Sequence, residues 1–154
     1  MLVRINDRIE AVLVAFLALA FAAMIATVFA QVAARNLLQT PLIWTLDIAQ
    51  LLFSWCIFIG AAVAFRRGGH YVVDLLPEGA VLGHRIQSVL STLAAIVVIA
   101  VLIRYGATLA EMATRRVSPS IGISEVWFFL PIPLGGALMA LFLLETLVKR
   151  RRPE

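Results

Sequence analysis

WTLDIAQLLFSWCIFIGAAVAFRRGGHYVVD, residues 44 to 74, opens on an aromatic and an acid, Trp44 and Asp47, and continues through a long apolar run. It closes on Arg66, Arg67, two glycines, His70 and Asp74. A helix rising about 1.5 Å per residue needs roughly 20 apolar residues to cross hydrocarbon, and the run from Ile43 to Phe65 meets that length. Trp44 stands where an interfacial aromatic belongs, and the arginine pair stands where a crossing stops. Asp47, Gln50 and Ser54, at i, i+3 and i+7, share one helix face. Gly60 and Ala64 form a small-xxx-small pair suited to close helix packing.

The rest of the chain follows the same pattern. Of 154 residues, 62% are apolar and 14% charged, against roughly 45–50% and about 25% in an ordinary soluble domain. The apolar residues gather into four runs, so the sequence predicts an all-α integral membrane protein of one four-helix domain covering residues 1–154. Its crossings are placed at about 11–34, 43–65, 86–106 and 125–147. Short amphipathic or interfacial segments join them. The net charge of +4 comes from basic residues at the ends of apolar runs; they read as topology signals and phospholipid-headgroup contacts rather than a nucleic-acid surface. Cys56, the single cysteine, lies inside an apolar run and reads as a small filler.

Residues 1–10 form an amphipathic lead-in to the first crossing, which is expected to remain uncleaved. That crossing carries Ala18, Ala22, Ala26, Ala30 and Ala34 at a spacing of four, an expected packing ridge. Thr27, Gln31 and Arg35 line its far end. A short connection with Pro41 leads to the second crossing, and antiparallel neighbours would bring Arg35 level with Asp47. An Arg35/Asp47 pair, extended by Gln31 to Gln50, is therefore expected.

Residues 71–76 read as an interfacial segment. The third helix changes character after Ile103: Arg104, Thr108, Glu111 and Arg115 fall on one face and read as an amphipathic continuation leaving the membrane, with an i, i+4 Glu111/Arg115 pair. After the Arg115, Arg116 and Ser118–Ser124 turn, Ser124 is a candidate cap and Trp127 an interfacial aromatic. Pro131 and Pro133 predict a kink or a late helix start, Gly135 and Gly136 a close approach. A local Glu145/Lys149 pair is expected near the end.

Four crossings put both termini on one side. That side carries nine basic residues and the other four, so both termini are expected to be cytoplasmic. No nucleophile–base arrangement, metal cluster, phosphate loop or dinucleotide fingerprint occurs, so neither enzyme activity nor a cofactor is expected. Every ionisable residue reads as lying at or near the end of a crossing, which argues against an autonomous ion-coupled carrier. Two other classes remain open: a self-sufficient four-helix exporter, although the first helix lacks the embedded acid such proteins lean on, and a haem or quinone anchor of a respiratory enzyme, for which His70 and His84 would be the ligand candidates.

Trp44-x-x-Asp47, Trp55, Gly60-Ala-Ala, Arg66-Arg67, His70 and V-V-D-L-L through Asp74, followed by S-P-S-I-G-I-S-E-V-W and P-I-P-L-G-G-A-L-M, together resemble the small membrane subunit of a tripartite ATP-independent periplasmic (TRAP) transporter. The similarity covers most of the chain after residue 35. Asp47 stands where that family usually has glutamate. The resemblance implies a bacterial inner-membrane scaffold docked on a large, elevator-type transport subunit, with sodium-driven uptake of an organic anion such as a carboxylate delivered by a periplasmic binding protein. It places no solute or sodium site on this chain. The residues expected to matter are structural or interfacial: Arg35, Trp44, Asp47, Gln50, Gly60, Arg66, Arg67, His70, Asp74, Arg104, Glu111, Arg115, Arg116 and Trp127.

Overall fold

The computed structural model describes residues 2–68 and 81–151. Helix α1 (Leu2–Ala33) runs into a π-helical turn, Ala34–Leu38, and stops where Gln39 turns left-handed at φ 52°. It is followed by α2 (Trp44–Arg66), α3 (Val81–Ala113), a single turn α4 (Val126–Phe129) and α5 (Pro131–Arg151). Four segments are long and apolar enough to cross a membrane: Asn6–Leu38, Trp44–Arg66, Val89–Ala113 and Val126–Val148. The break at Leu130 answers the expectation raised by the prolines. Pro131 takes the first position of α5, where its missing N–H costs nothing.

The helices form a single curved layer in the order α1, α2, α5, α3. Among the described residues, no Cα of α3 comes within 8 Å of a Cα of α1 or α2. Lipid supplies little hydrophobic drive between helices, so each element buries only the stripe that packs well and leaves its remaining apolar surface outward. Along α1 and the π-helical turn the half-buried and buried positions include Leu13, Leu17, Ala20, Met24, Thr27, Gln31 and Ala34, a stripe at alternating steps of four and three. The expected alanine ridge is thereby corrected. Ala18, Ala22 and Ala26 are exposed, Ala30 is half-buried and Ala34 buried. A strict four-residue step advances about 40° per repeat on a helix of 3.6 residues per turn, so the ridge winds from the outer flank into the interface.

The core is small: Ala62, Ile99, Met139 and Phe142, with Ile9, Leu13 and Phe65 packed against it. Close backbone approach fixes the register between α3 and α5. A Cβ on Gly106 would stand 2.7 Å from Ile132 Cγ2 and 2.9 Å from the Pro133 nitrogen, and one on Gly136 would stand 3.0 Å from Leu102 and Ile103 side-chain carbons. Gly135 meets the Phe58 carbonyl in the same way, at 2.7 Å. Gly60, by contrast, has only Leu17 Cδ2 at 4.0 Å, so that position does not demand glycine.

Candidate functional site: two polar layers and an arginine between them

Both ends of the helical layer are closed by polar clusters. At the end where α1 begins and α5 closes, Arg66 at the close of α2 has a side chain only 11% exposed. Its Nε donates to Glu145 Oε2 at 3.1 Å, and its Nη2 donates to Asp7 Oδ1 at 2.6 Å and Glu145 Oε1 at 3.3 Å. Nη1 donates to Glu10. The guanidinium also lies 5.4 Å from the Phe142 ring centroid, a cation–π arrangement. Arg67 Nε donates to Glu10 Oε1 at 2.7 Å, and Asn6 Nδ2 to Glu145 Oε2 at 2.7 Å. Arg66 thus ties α1, α2 and α5 together through one planar fork, a task lysine could not match.

Sequence reasoning found the arginines but not their partners. In the sequence Asp7 and Glu10 fall within the amphipathic lead-in, and Glu145 pairs by spacing with Lys149, whose side chain lies outside the described residues. The available signal was that these acids and Arg66 all sit on the side that shares the termini. His70 and Asp74 also lie outside the described residues.

At the opposite end, Asp47 sits in the first turn of α2 and accepts from the hydroxyls of Ser118 and Ser120. That carboxylate holds the loop after α3. The loop is further tied by Ser118 N to Ile123 O and Glu125 N to Arg116 O, both 2.9 Å, and by the bridge between Val117 and Ser124. Two turns further along α2, Ser54 donates to the Phe128 carbonyl at 2.6 Å and Trp55 Nε1 to the Trp127 carbonyl at 3.1 Å, so α2 carries the break between α4 and α5. Ser124 Oγ accepts from Val126 N at 3.4 Å, but Glu125 takes the cap position of α4 and no side chain caps it, so the expected Ser124 cap is corrected.

The expected Arg35/Asp47 pair is replaced by this arrangement. Among the described residues no ion pair joins Arg35 to Asp47 or Glu111 to Arg115. Arg35 is exposed on the π-helical turn, past the point where α1 faces α2, while Asp47 turns to hydroxyls that need no second desolvated charge. Trp44 and Trp127 are 46% and 50% exposed. Gln50 is exposed beside a shallow groove between Asp47 and Glu125. Arg115 and Arg116 project from the loop.

The main correction concerns Arg104. From Asp47 to Arg66 is 19 residues of α2, or ~29 Å at 1.5 Å per residue, close to the thickness of the hydrocarbon. The antiparallel contacts of Gly106 with Ile132 and Pro133, and of Gly136 with Leu102 and Ile103, place Arg104 beside Leu134 and Gly135. Glu145 lies about ten residues further along α5, so Arg104 is ~16 Å from the Arg66 layer and stands in the middle third of the span. α3 runs past Arg104 without a break. It continues to Ala113 because Gly106 and Ala110 keep it packed on α5 and α4. An arginine alone at that depth costs about 2.5–3.5 kcal/mol on insertion scales. Its side chain is exposed, and its one described side-chain partner is Thr108 Oγ1, at 3.5 Å.

A model of the family described as tripartite ATP-independent periplasmic transporters, DctQ component, matches residues 24–152. The sialic acid TRAP transporter small permease protein SiaQ of Vibrio cholerae is 33% identical over 150 residues, covering 94% of this chain and 83% of that one. The sialic acid TRAP transporter permease protein SiaT of Haemophilus influenzae is 30% identical over 122 residues, covering 77% of this chain but only 20% of the longer protein. With its multi-pass helical architecture and a match across most of its length, this chain belongs to the DctQ component family of the tripartite ATP-independent periplasmic transporters.

Proposed function

We propose that this chain is the non-catalytic small membrane subunit of a sodium-coupled TRAP transporter, scaffolding a large elevator-type permease that takes up an organic anion. The observation that carries this reading is the single open layer of helices. With α1 and α3 apart, the chain wraps around no solute path, while its polar groups staple the layer at both ends. Such a plate resists tilting and bending, and can brace a moving neighbour.

The partner in this reading is a large membrane permease. The match to one fifth of the longer SiaT chain supports it, because in that protein the matched region is covalently joined to a much larger remainder. The substrate would be a carboxylate of the sialic acid kind, in line with both relatives' names, delivered by a periplasmic binding protein. The excess of basic residues on the terminus side supports cytoplasmic termini, with the Asp47–Ser118 layer at the periplasmic face of the bacterial inner membrane.

Reconstitution tests this. Liposomes holding this chain, a large TRAP permease that co-purifies with it and the binding protein should accumulate sialic acid under an inward sodium gradient. Omitting this chain should abolish uptake. Uptake by this chain alone would refute the scaffold role.

A further inference from the structure

The α3 face that points away from α5 carries Val97, Val101, Arg104, Thr108 and Glu111, following one another at alternating steps of four and three. All five are exposed. The residues that pack on α5, among them Ile99, Gly106 and Ala110, lie on the opposite side of the helix. A layer edge meant for lipid alone would be apolar throughout, as Val97 and Val101 are. Instead the edge helix opens a polar seam at mid-membrane and carries it toward the Asp47 end.

We propose that this seam on α3 is the docking line for a transmembrane segment of the large permease, which supplies a carboxylate or free backbone carbonyl to Arg104 and a hydrogen-bond donor to Glu111. The proposal rests on the reading above that a large permease is the partner. Charge complementarity selects the occupant. Among the described residues no acid of this chain pairs with Arg104, and no base with Glu111.

A lipid phosphate does not meet the need. Arg104 already bends one turn outward to Thr108, and ~8 Å of helix still separate Thr108 from Ala113 at 1.5 Å per residue. A second copy of this chain would set Arg104 against an identical arginine at the centre of a two-fold contact. A different protein with an acceptor at that depth satisfies both charges.

Photo-crosslinking in the co-expressed complex tests the assignment, with p-benzoylphenylalanine replacing Val101 on this face or Leu19 on the exposed face of α1. Val101 should yield an adduct with the large permease. Adducts from Val101 only with lipid, or with a second copy of this chain, overturn the proposal. Adducts from Leu19 alone overturn it too, while leaving the scaffold reading intact. If the two proteins fail to co-purify at all, both readings fall. Independently, Arg104→Leu should cut recovery of the large permease on the tagged small subunit about tenfold or more, by leaving the partner's acceptor unpaired, and Arg104→Lys should restore part of it. The melting temperature of the Leu variant without its partner should stay level or rise, since lipid favours leucine. Undiminished recovery with Arg104→Leu overturns the proposal.

Discussion

Arg66 and Glu145 meet across two helices, Nε to Oε2 at 3.1 Å, with the Glu145 side chain 5% exposed. The pair is held at an end of the layer by Asp7, Glu10 and Asn6, so each charge is both neutralised and hydrogen-bonded. Arg66→Ala strips the counter-charge from Glu145, Asp7 and Glu10 together and should destabilise the subunit by about 3–5 kcal/mol, whereas Glu145→Ala leaves Arg66 paired with Asp7 and Glu10 and should cost less; the double replacement Arg66→Met with Glu145→Leu should recover part of the Arg66→Ala loss. Arg67→Ala, at a side chain 60% exposed, should cost no more than about 1 kcal/mol. Equilibrium unfolding in detergent micelles measures all four variants. Equal losses for Arg66→Ala and Arg67→Ala would contradict the assignment of Arg66 as the central tie.

Asp47 is the tie of the opposite layer. In Asp47→Ala the Ser118 and Ser120 hydroxyls lose their shared acceptor, and the loop after α3 retains chiefly its backbone bonds. Trypsin reports this directly, because Arg115 and Arg116 stand exposed on that loop. Cleavage there should accelerate roughly tenfold, matching loss of a charge-assisted hydrogen bond worth about 1.5–3 kcal/mol. Asp47→Asn keeps one acceptor oxygen and should fall between. A loop that stays as resistant as in the parent would show that its backbone hydrogen bonds suffice.

These ties show what was legible in the sequence. Apolar run lengths gave the four long helices and the prolines gave the α4/α5 break, because each signal is local. Partner choice was not local. Asp47 could be matched to Arg35 on helix ends alone, since nothing in the sequence says that the loop serines come closer. The position of Arg104 between the two polar layers is hidden for a related reason. Its polar neighbours at i+4 and i+7 look like a helix leaving the membrane, and only the contacts of Gly106 and Gly136 with α5 reveal that the helix is still half a span deep.

That same glycine contact carries a prediction. Gly106→Ala would drive a methyl group to 2.9 Å from the Pro133 backbone nitrogen, which cannot swing aside as a flexible side chain can, so α3 must separate from α5. A cost of about 1–3 kcal/mol is expected, in line with other overpacked sites. Gly60→Ala meets only Leu17 Cδ2 at 4.0 Å and should change stability by less than about 0.5 kcal/mol. Thermal melting of the two variants side by side settles the contrast. A Gly60→Ala loss as large as that of Gly106→Ala would move the tight helix contact from α3–α5 to α1–α2.

Sidedness gives the last prediction. Asn6 bonds Glu145, so the start of α1 and the end of α5 share one layer, and Asp47 with Ser118 forms the other. The basic side chains are concentrated on the terminus side, and the Arg104 correction sharpens the bias because that residue belongs to neither side. Val117→Cys, at a position 59% exposed on the loop, should react with a membrane-impermeant maleimide in intact spheroplasts. Arg8→Cys should react only after permeabilisation. Cys56 is half-buried within α2 and should contribute little background. The reverse pattern would invert the layer, turning the Asp47–Ser118 loop toward the cytoplasm and away from any periplasmic binding protein.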